Sequence, residues 1–167
     1  MEGIAKPLSV HQFEVKTITG EPLSLADYSG KVLMIVNTAS GCAFTPQLGK
    51  MQELYDSYRE KNFELLAFPS NDFGGQEPLE GSDIEQFCEI RFQTHFPIFE
   101  KVTVKGQQAH PLFRFLSDKS QNGAHSAPPR WNFQKYLIDR QGRLHTWFYP
   151  FTSPTSSRVR NAIEGLL

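Results

Sequence analysis

The chain has 167 residues, with 17 basic and 18 acidic side chains and a formal charge of −1. That size suits one ordinary domain of ~100–200 residues, so a single unit over residues 1–167 is expected, and the balanced charge supplies no field for binding nucleic acid or an anionic membrane. The longest purely aliphatic run, Val32-Leu33-Met34-Ile35-Val36, falls far short of the roughly 18–20 apolar residues that a membrane-spanning helix requires.

Along the chain, Phe13-Glu14-Val15-Lys16-Thr17-Ile18 alternates with period two and ends at Thr19-Gly20, which predicts a short strand and an N-terminal hairpin. Gly30-Lys31 precedes a β-branched, nearly unbroken apolar run from Val32 to Thr38, the pattern of a strand covered on both faces. Pro46 suits a first helical turn, and Leu48, Met51, Leu54, Tyr55 and Tyr58 follow at helical spacing until about Asn62. Phe63-Glu64-Leu65-Leu66-Ala67-Phe68 predicts a second buried strand, so strand, helix and strand suggest a right-handed βαβ unit.

Residues 69–81 are rich in Gly and Pro and read as loop. Ser82-Asp83-Ile84-Glu85 matches a capping box, predicting a helix over 83–92 with Ile84, Phe87 and Cys88 on one stripe. A short helix is expected over 111–116 and a polar surface connection over 117–129. Tyr136-Leu137-Ile138-Asp139 and the run over 144–149 predict two strands joined by a tight turn at Gly142. Ser153-Pro154 offers a cap and a first helical proline for a last helix that buries Val159, Ile163 and Leu166. This order predicts an α/β three-layer sandwich, a mixed central sheet with helices on both faces. Thioredoxin-like folds belong to that class.

Two cysteines, Cys42 and Cys88, are too few for a disulfide scaffold or a four-thiolate zinc site. In a reducing compartment such a pair is either two inert core thiols or a redox couple. Residues 1–7 lack the basic and apolar regions of a secretory signal, which makes the cytoplasm the expected location. Cys42 lies just past the carboxyl end of the best central strand and before a predicted helix, an edge where reactive sites gather in open α/β sheets and where first-turn amides favour a thiolate. Free cysteine is also among the most buried residues, so from position alone Cys42 is a nucleophile or a core thiol. A thioredoxin-type carrier needs Cys-x-x-Cys, and here the second place holds Thr45. Cys88 shares an apolar stripe and reads as core packing on periodicity. Gly74-Gly75 would let the next loop bring Gln76, a neutral donor, close to the strand ends. The Trp131 indole N–H needs an acceptor, and Asn132 stands beside it. The five histidines, at 11, 95, 110, 125 and 145, form no ligand spacing.

The segments Val36-Asn37-Thr38-Ala39-Ser40-Gly41-Cys42-Ala43-Phe44-Thr45-Pro46-Gln47, Phe68-Pro69-Ser70-Asn71-Asp72-Phe73-Gly74-Gly75-Gln76-Glu77-Pro78 and Trp131-Asn132-Phe133 resemble, in order and spacing, the three signatures of the glutathione peroxidase family. Phe96-Pro97-Ile98-Phe99, Ala109-His110-Pro111-Leu112 and Thr152-Ser153-Pro154 are similar to further family landmarks. The resemblance implies a thioredoxin-like fold and peroxide reduction without metal or organic cofactor, with Cys42 as the peroxidatic residue. It places Gln76, Trp131 and Asn132 on the other members of the family's catalytic tetrad. Cys88 falls at or within one residue of the resolving cysteine of thioredoxin-dependent members.

Some positions depart from the family pattern. Gly41 and Ala43 flank Cys42 where many members carry Lys and Gly, and Ser70 stands where many carry another cysteine. The stretch between Phe115 and Trp131 lacks the insertion of tetrameric members, which implies a monomer. The resemblance therefore implies a thiol peroxidase that reduces hydrogen peroxide and organic or lipid hydroperoxides through a Cys42 sulfenic acid and a Cys42–Cys88 disulfide, recycled by thioredoxin. Glutathione is the alternative reductant; its negative charge favours a basic rim, and residues 39–48 contain no basic residue. A peroxide sensor relaying its disulfide would use the same residues, whereas a silent binding module would not need the tetrad.

Overall fold

A computed structural model describes residues 8–167; residues 1–7, on which the expected cytoplasmic location rests, lie outside the described residues. The predicted hairpin is formed by β1 (Glu14–Lys16) and β2 (Pro22–Ser24), antiparallel, with Val15 buried opposite Leu23. It adjoins a mixed four-stranded sheet. Strand β3 (Val32–Thr38) follows, and all seven of its residues are buried. Successive side chains alternate across the sheet: Val32, Met34 and Val36 enter one core cluster, and Leu33 and Ile35 enter the other.

Helix α1 (Gln47–Tyr58) lays Leu48, Met51, Leu54 and Tyr58 on the first of those clusters and carries the chain to β4 (Phe63–Pro69), which pairs parallel with β3. The expected βαβ unit is present, although the helix stops a turn before Asn62, which takes a left-handed φ of 62°. Helix α2 (Ser82–Phe92) packs only Ile84 and Cys88 fully into the core, and Phe87 lies partly exposed against it. The anticipated capping box does not form. Gly81 is the N-cap and Ser82 lies inside the first turn, so the N-terminus has no side-chain hydrogen bond.

Helix α3 (Pro111–Ser117) covers the opposite face of the sheet with Leu112, Phe113, Phe115 and Leu116. The connection over 117–129, expected as plain surface, contains a short helix, α4 (Lys119–Asn122). Its last residue is buried because one amide satisfies several backbone groups: Asn122 Nδ2 donates to the carbonyls of Phe115 and His125, and Oδ1 accepts from the amides of Ala124 and His125.

Strand β5 (Lys135–Ile138) returns antiparallel beside β3, and β6 (Leu144–Phe148) closes the order β4-β3-β5-β6. Helix α5 (Ser157–Glu164) adds Val159 and Ile163 to the α1 side. It begins later than Ser153-Pro154 suggested, because Ser156 accepts the Val159 amide and is the cap. Helices thus cover both faces, as expected for the three-layer class. No helix among the described residues is long and apolar enough to cross a membrane.

One β5 residue opposes the burial rule. Lys135, opposite Val36, is fully buried, and its ammonium donates to the carbonyls of Pro150 at 2.9 Å and Tyr149 at 3.5 Å. Burial pushes its pKa down to about 7. The unfolded chain keeps this proton up to ~10.4, so folding is opposed over the whole range below that value and stability rises as the pH climbs from about 7 towards 10. Lys135→Met should remove that rise and leave the protein ~2–4 kcal/mol more stable at neutral pH than the lysine allows, a difference to be read from urea unfolding at about pH 7 and 9.5.

Candidate active site

Three loops meet beyond the carboxyl ends of β3 and β4. The first leaves β3 and turns around Cys42. Thr45 Oγ1 donates to the Ala39 carbonyl at 2.8 Å and accepts the Cys42 amide at 2.9 Å, so the threonine in the place of a second motif cysteine closes the turn. Consecutive three-residue turns, Thr45 N to Cys42 O and Gln47 N to Phe44 O, lead into α1. The Phe44 amide donates to Cys42 Sγ at 3.3 Å. Cys42 is 8 % exposed to solvent.

The second loop follows β4. Gly74 and Gly75 both take left-handed φ values, 68° and 62°, closed to most side chains. They turn the chain so that the Gln76 carbonyl accepts the Gly41 amide at 2.8 Å, which joins this loop to the residue before the cysteine. A Cβ on Gly74 would stand 3.3 Å from the Trp131 ring and 3.5 Å from Gln76 Nε2. The indole and the glutamine amide therefore converge on this glycine.

The third loop enters β5. Asn37, the buried polar residue of β3, donates through Nδ2 to the Trp131 carbonyl at 3.0 Å, and its own carbonyl accepts the Phe133 amide at 2.6 Å. Between those anchors Phe133 takes a φ of 71° while its ring stays buried. Such a left-handed turn costs about 1–3 kcal/mol and holds Trp131-Asn132 toward the other loops. Asn132 Nδ2 donates to Gln76 Oε1 at 3.0 Å, which leaves the Gln76 amide nitrogen as a donor. Trp131 packs against the core cluster that contains Cys42, and against Phe73 at 5.4 Å between ring centroids.

The fold thus gathers Cys42, Gln76, Trp131 and Asn132 at one edge, and Cys88 joins the Cys42 cluster from α2. Both thiols are free. They differ in environment: burial above all, then the carboxylates of Glu77 and Glu85, pushes the Cys88 pKa up to about 12. Four residues had no role in the sequence reading. Asn37 anchors the tryptophan loop, Thr45 shapes the turn around Cys42, and Ser40 hydrogen-bonds the buried carboxylate of Glu77. Burial raises the Glu77 pKa against the opposing pull of the Ser40 hydrogen bond. A polar Asn in an otherwise apolar strand was the one available signal among them.

The glutathione peroxidase sequence profile matches residues 10–117, well over half of the chain. The chain belongs to the glutathione peroxidase family. Its curated relatives include the glutathione peroxidase homolog BsaA of Halalkalibacterium halodurans, 46 % identical over 160 residues, covering 96 % of this chain and 100 % of that protein. A hydroperoxy fatty acid reductase of Synechocystis sp. is 45 % identical over 164 residues, covering 95 % and 96 %. Among solved structures, that of Trgpx in apo form is 30 % identical, covers 95 % of this chain and 94 % of the other, and superposes with a TM-score of 0.75. A thioredoxin-family thiol:disulfide interchange protein of Chlorobium tepidum, 16 % identical, covering 98 % and 99 % with a TM-score of 0.67, shares the thioredoxin fold. The chain is therefore a peroxidase of this family on a thioredoxin-like scaffold.

Gly74→Ala should strain a left-handed position and displace both the indole and the Gln76 amide. Expected are a stability loss of ~1 kcal/mol and a larger effect on reaction with peroxide, roughly tenfold or more, measured by denaturant unfolding and by stopped-flow oxidation.

Proposed function

We propose that this peroxidase is a single-domain, monomeric, cytoplasmic enzyme that reduces hydrogen peroxide and organic or lipid hydroperoxides by a two-cysteine cycle. The Cys42 thiolate attacks the peroxide oxygen; an S–O bond forms, the O–O bond breaks, and water or alcohol departs. Sulfenic acid remains, the first and reversible stage of thiol oxidation. Gln76, the Trp131 indole and Asn132 act as preorganised donors to the thiolate and to the charge developing on the leaving oxygen. The observation that carries this reading is the junction at Gly41 and Gln76, where the loop before Cys42 is hydrogen-bonded to the loop that bears the amide donor.

The raised pKa of Cys88 supports an order for the two thiols. Cys88 is a thiol at neutral pH, given its raised pKa, and only the thiolate is a good nucleophile, so Cys42 reacts first and Cys88 resolves. A disulfide needs Cα atoms roughly 4.4–6.8 Å apart, and in this reading α2 opens to bring Cys88 to Cys42. That helix is suited to opening: it has no side-chain N-cap bond and only two fully buried residues, features of a segment with low local stability. Thioredoxin then reduces the bond by thiol–disulfide exchange. The relative named as a hydroperoxy fatty acid reductase supports apolar hydroperoxides among the substrates.

A second reading keeps glutathione as reductant. The fold brings Lys105 Nζ to 4.7 Å over the Phe73 ring, which itself contacts Trp131, so a cation that is distant in sequence stands near the tetrad. Mass spectrometry after one equivalent of peroxide separates the readings. A Cys42–Cys88 disulfide and thioredoxin turnover lost in Cys88→Ser are expected; a persisting Cys42 sulfenic acid cleared by glutathione would assign the second. Cys42→Ser should abolish peroxide consumption in either case.

A further inference from the structure

The charge of the chain is balanced in sum but not along its length. Residues 119–163 hold seven Lys or Arg side chains and one carboxylate, Asp139, in a protein of formal charge −1. Asp139 is itself taken up by the amides of Gln141 and Arg143. Within this basic part three aromatic rings stand in a row. Trp147 meets Tyr149 edge-on at 4.8 Å between centroids, and Tyr149 stacks on Phe151 at 5.3 Å with the rings 8° from parallel. The Arg130 guanidinium lies 5.5 Å from the Trp147 centroid and 5.8 Å from that of Tyr149. No carboxylate pairs with Arg130 among the described residues. Tyr149 is 40 % and Phe151 68 % exposed, so the row presents apolar surface to solvent beside an unpaired cation.

This row adjoins the active site and is firmly held. Arg130 immediately precedes Trp131. Pro150, between Tyr149 and Phe151, offers its carbonyl to Gln47 Nε2 at 2.8 Å and to Lys135 Nζ at 2.9 Å. Gln47 is the first residue of α1, so the row is tied both to the helix that follows Cys42 and to the central sheet. Neither tie involves α2, the element that opens in the cycle proposed above. That helix bears Asp83, Glu85 and Glu89 against a single Arg91. The two surfaces therefore differ in sign and in firmness. Trp, Tyr and Arg are the side chains that most often carry the binding energy of a protein interface, and rings already packed on one another lose little freedom when a partner arrives. A basic surface draws an acidic partner, and an acidic helix turns it away.

We propose that the row of Trp147, Tyr149 and Phe151, with Arg130, is the docking surface for an acidic dithiol protein that reduces the enzyme, an inference that rests on the two-cysteine reading above. Seated there, the partner presents a thiolate to the Cys42–Cys88 disulfide. Its sulfur bonds to one of the two enzyme sulfurs, the S–S bond breaks, and the enzyme cysteine that leaves takes up a proton. The partner's second thiol then attacks the mixed disulfide, closes a disulfide within the partner and frees the other enzyme cysteine as a thiol. Two electrons and two protons pass from the partner dithiol to the enzyme, so no other reductant enters. The aromatic row takes no part in that exchange and acts on the encounter alone.

Turnover with a reduced thioredoxin of net negative charge gives kcat/KM for the reductant, and stopped-flow oxidation by hydrogen peroxide gives the first step separately. The double variant Tyr149→Ala, Phe151→Ala should lower kcat/KM for thioredoxin ~10-fold or more and leave the peroxide step unchanged. Phe151→Ala alone, at the most exposed of these rings, should show part of that loss. Arg130→Gln should lower kcat/KM by a smaller factor and flatten its decline with added salt. Ile90→Ala removes a side chain 75 % exposed on α2 and should change neither step. Parent values of kcat/KM in the aromatic variants, or a greater loss in Ile90→Ala than in any of them, would overturn the docking surface. So would binding to phosphatidylglycerol vesicles that the double variant loses while its thioredoxin kinetics stay at the parent level, a result that gives the row to a lipid surface. A parent protein that thioredoxin does not reduce overturns the two-cysteine reading itself, whatever the variants do.

Discussion

The site depends on the two hydrogen bonds made by Asn37. Its amide holds the Trp131 carbonyl and its backbone carbonyl holds the Phe133 amide, so one buried residue near the end of the central strand governs where a distant loop lands. A left-handed Phe133 persists only because both sides of the turn are tied down. From there Asn132 reaches Gln76, and Gln76 reaches the backbone before Cys42. The chain of contacts is closed, so three loops behave as one frame. Preorganised donors act without reorganising during the reaction, which is the form of stabilisation that a developing oxyanion needs.

Two cysteines of the same chemistry lie in different surroundings. Cys42 lies at a turn with an amide aimed at its sulfur. Cys88 lies in the core beneath a helix and faces carboxylates, so it stays protonated. Reactivity follows the thiolate, so Cys88 is a poor nucleophile while it stays protonated. A thiol held protonated must lose its proton before it can close a disulfide. Helix α2, which carries Cys88, has no side-chain hydrogen bond at its N-terminus and only two fully buried residues.

Where pattern and periodicity were strong, the elements were readable. Val32–Thr38 is buried on both faces as its unbroken apolar run indicated, and α1 presents the stripe that its spacing predicted. The misreadings share a cause. Ser82 looked like a cap, and so did Ser153, but a serine caps only if the backbone at its own position is extended, and that is settled by how the preceding loop docks. Asn122 looked like surface because its five polar contacts are to backbone groups, which carry no sequence signature.

By itself, the amino-acid sequence determined the α/β layering, the family, and the residue types that could do the chemistry, because these follow from local pattern and from motifs that are contiguous in the chain. Only the tertiary structure decided how they act together. The Gly41–Gln76 and Asn37–Trp131 contacts join residues far apart in sequence, Lys105 reaches the tetrad through Phe73, and the state of Cys88 and Glu77 is set by burial and neighbouring charge. Desolvation and through-space electrostatics are properties of a packed neighbourhood. No window along the chain contains them.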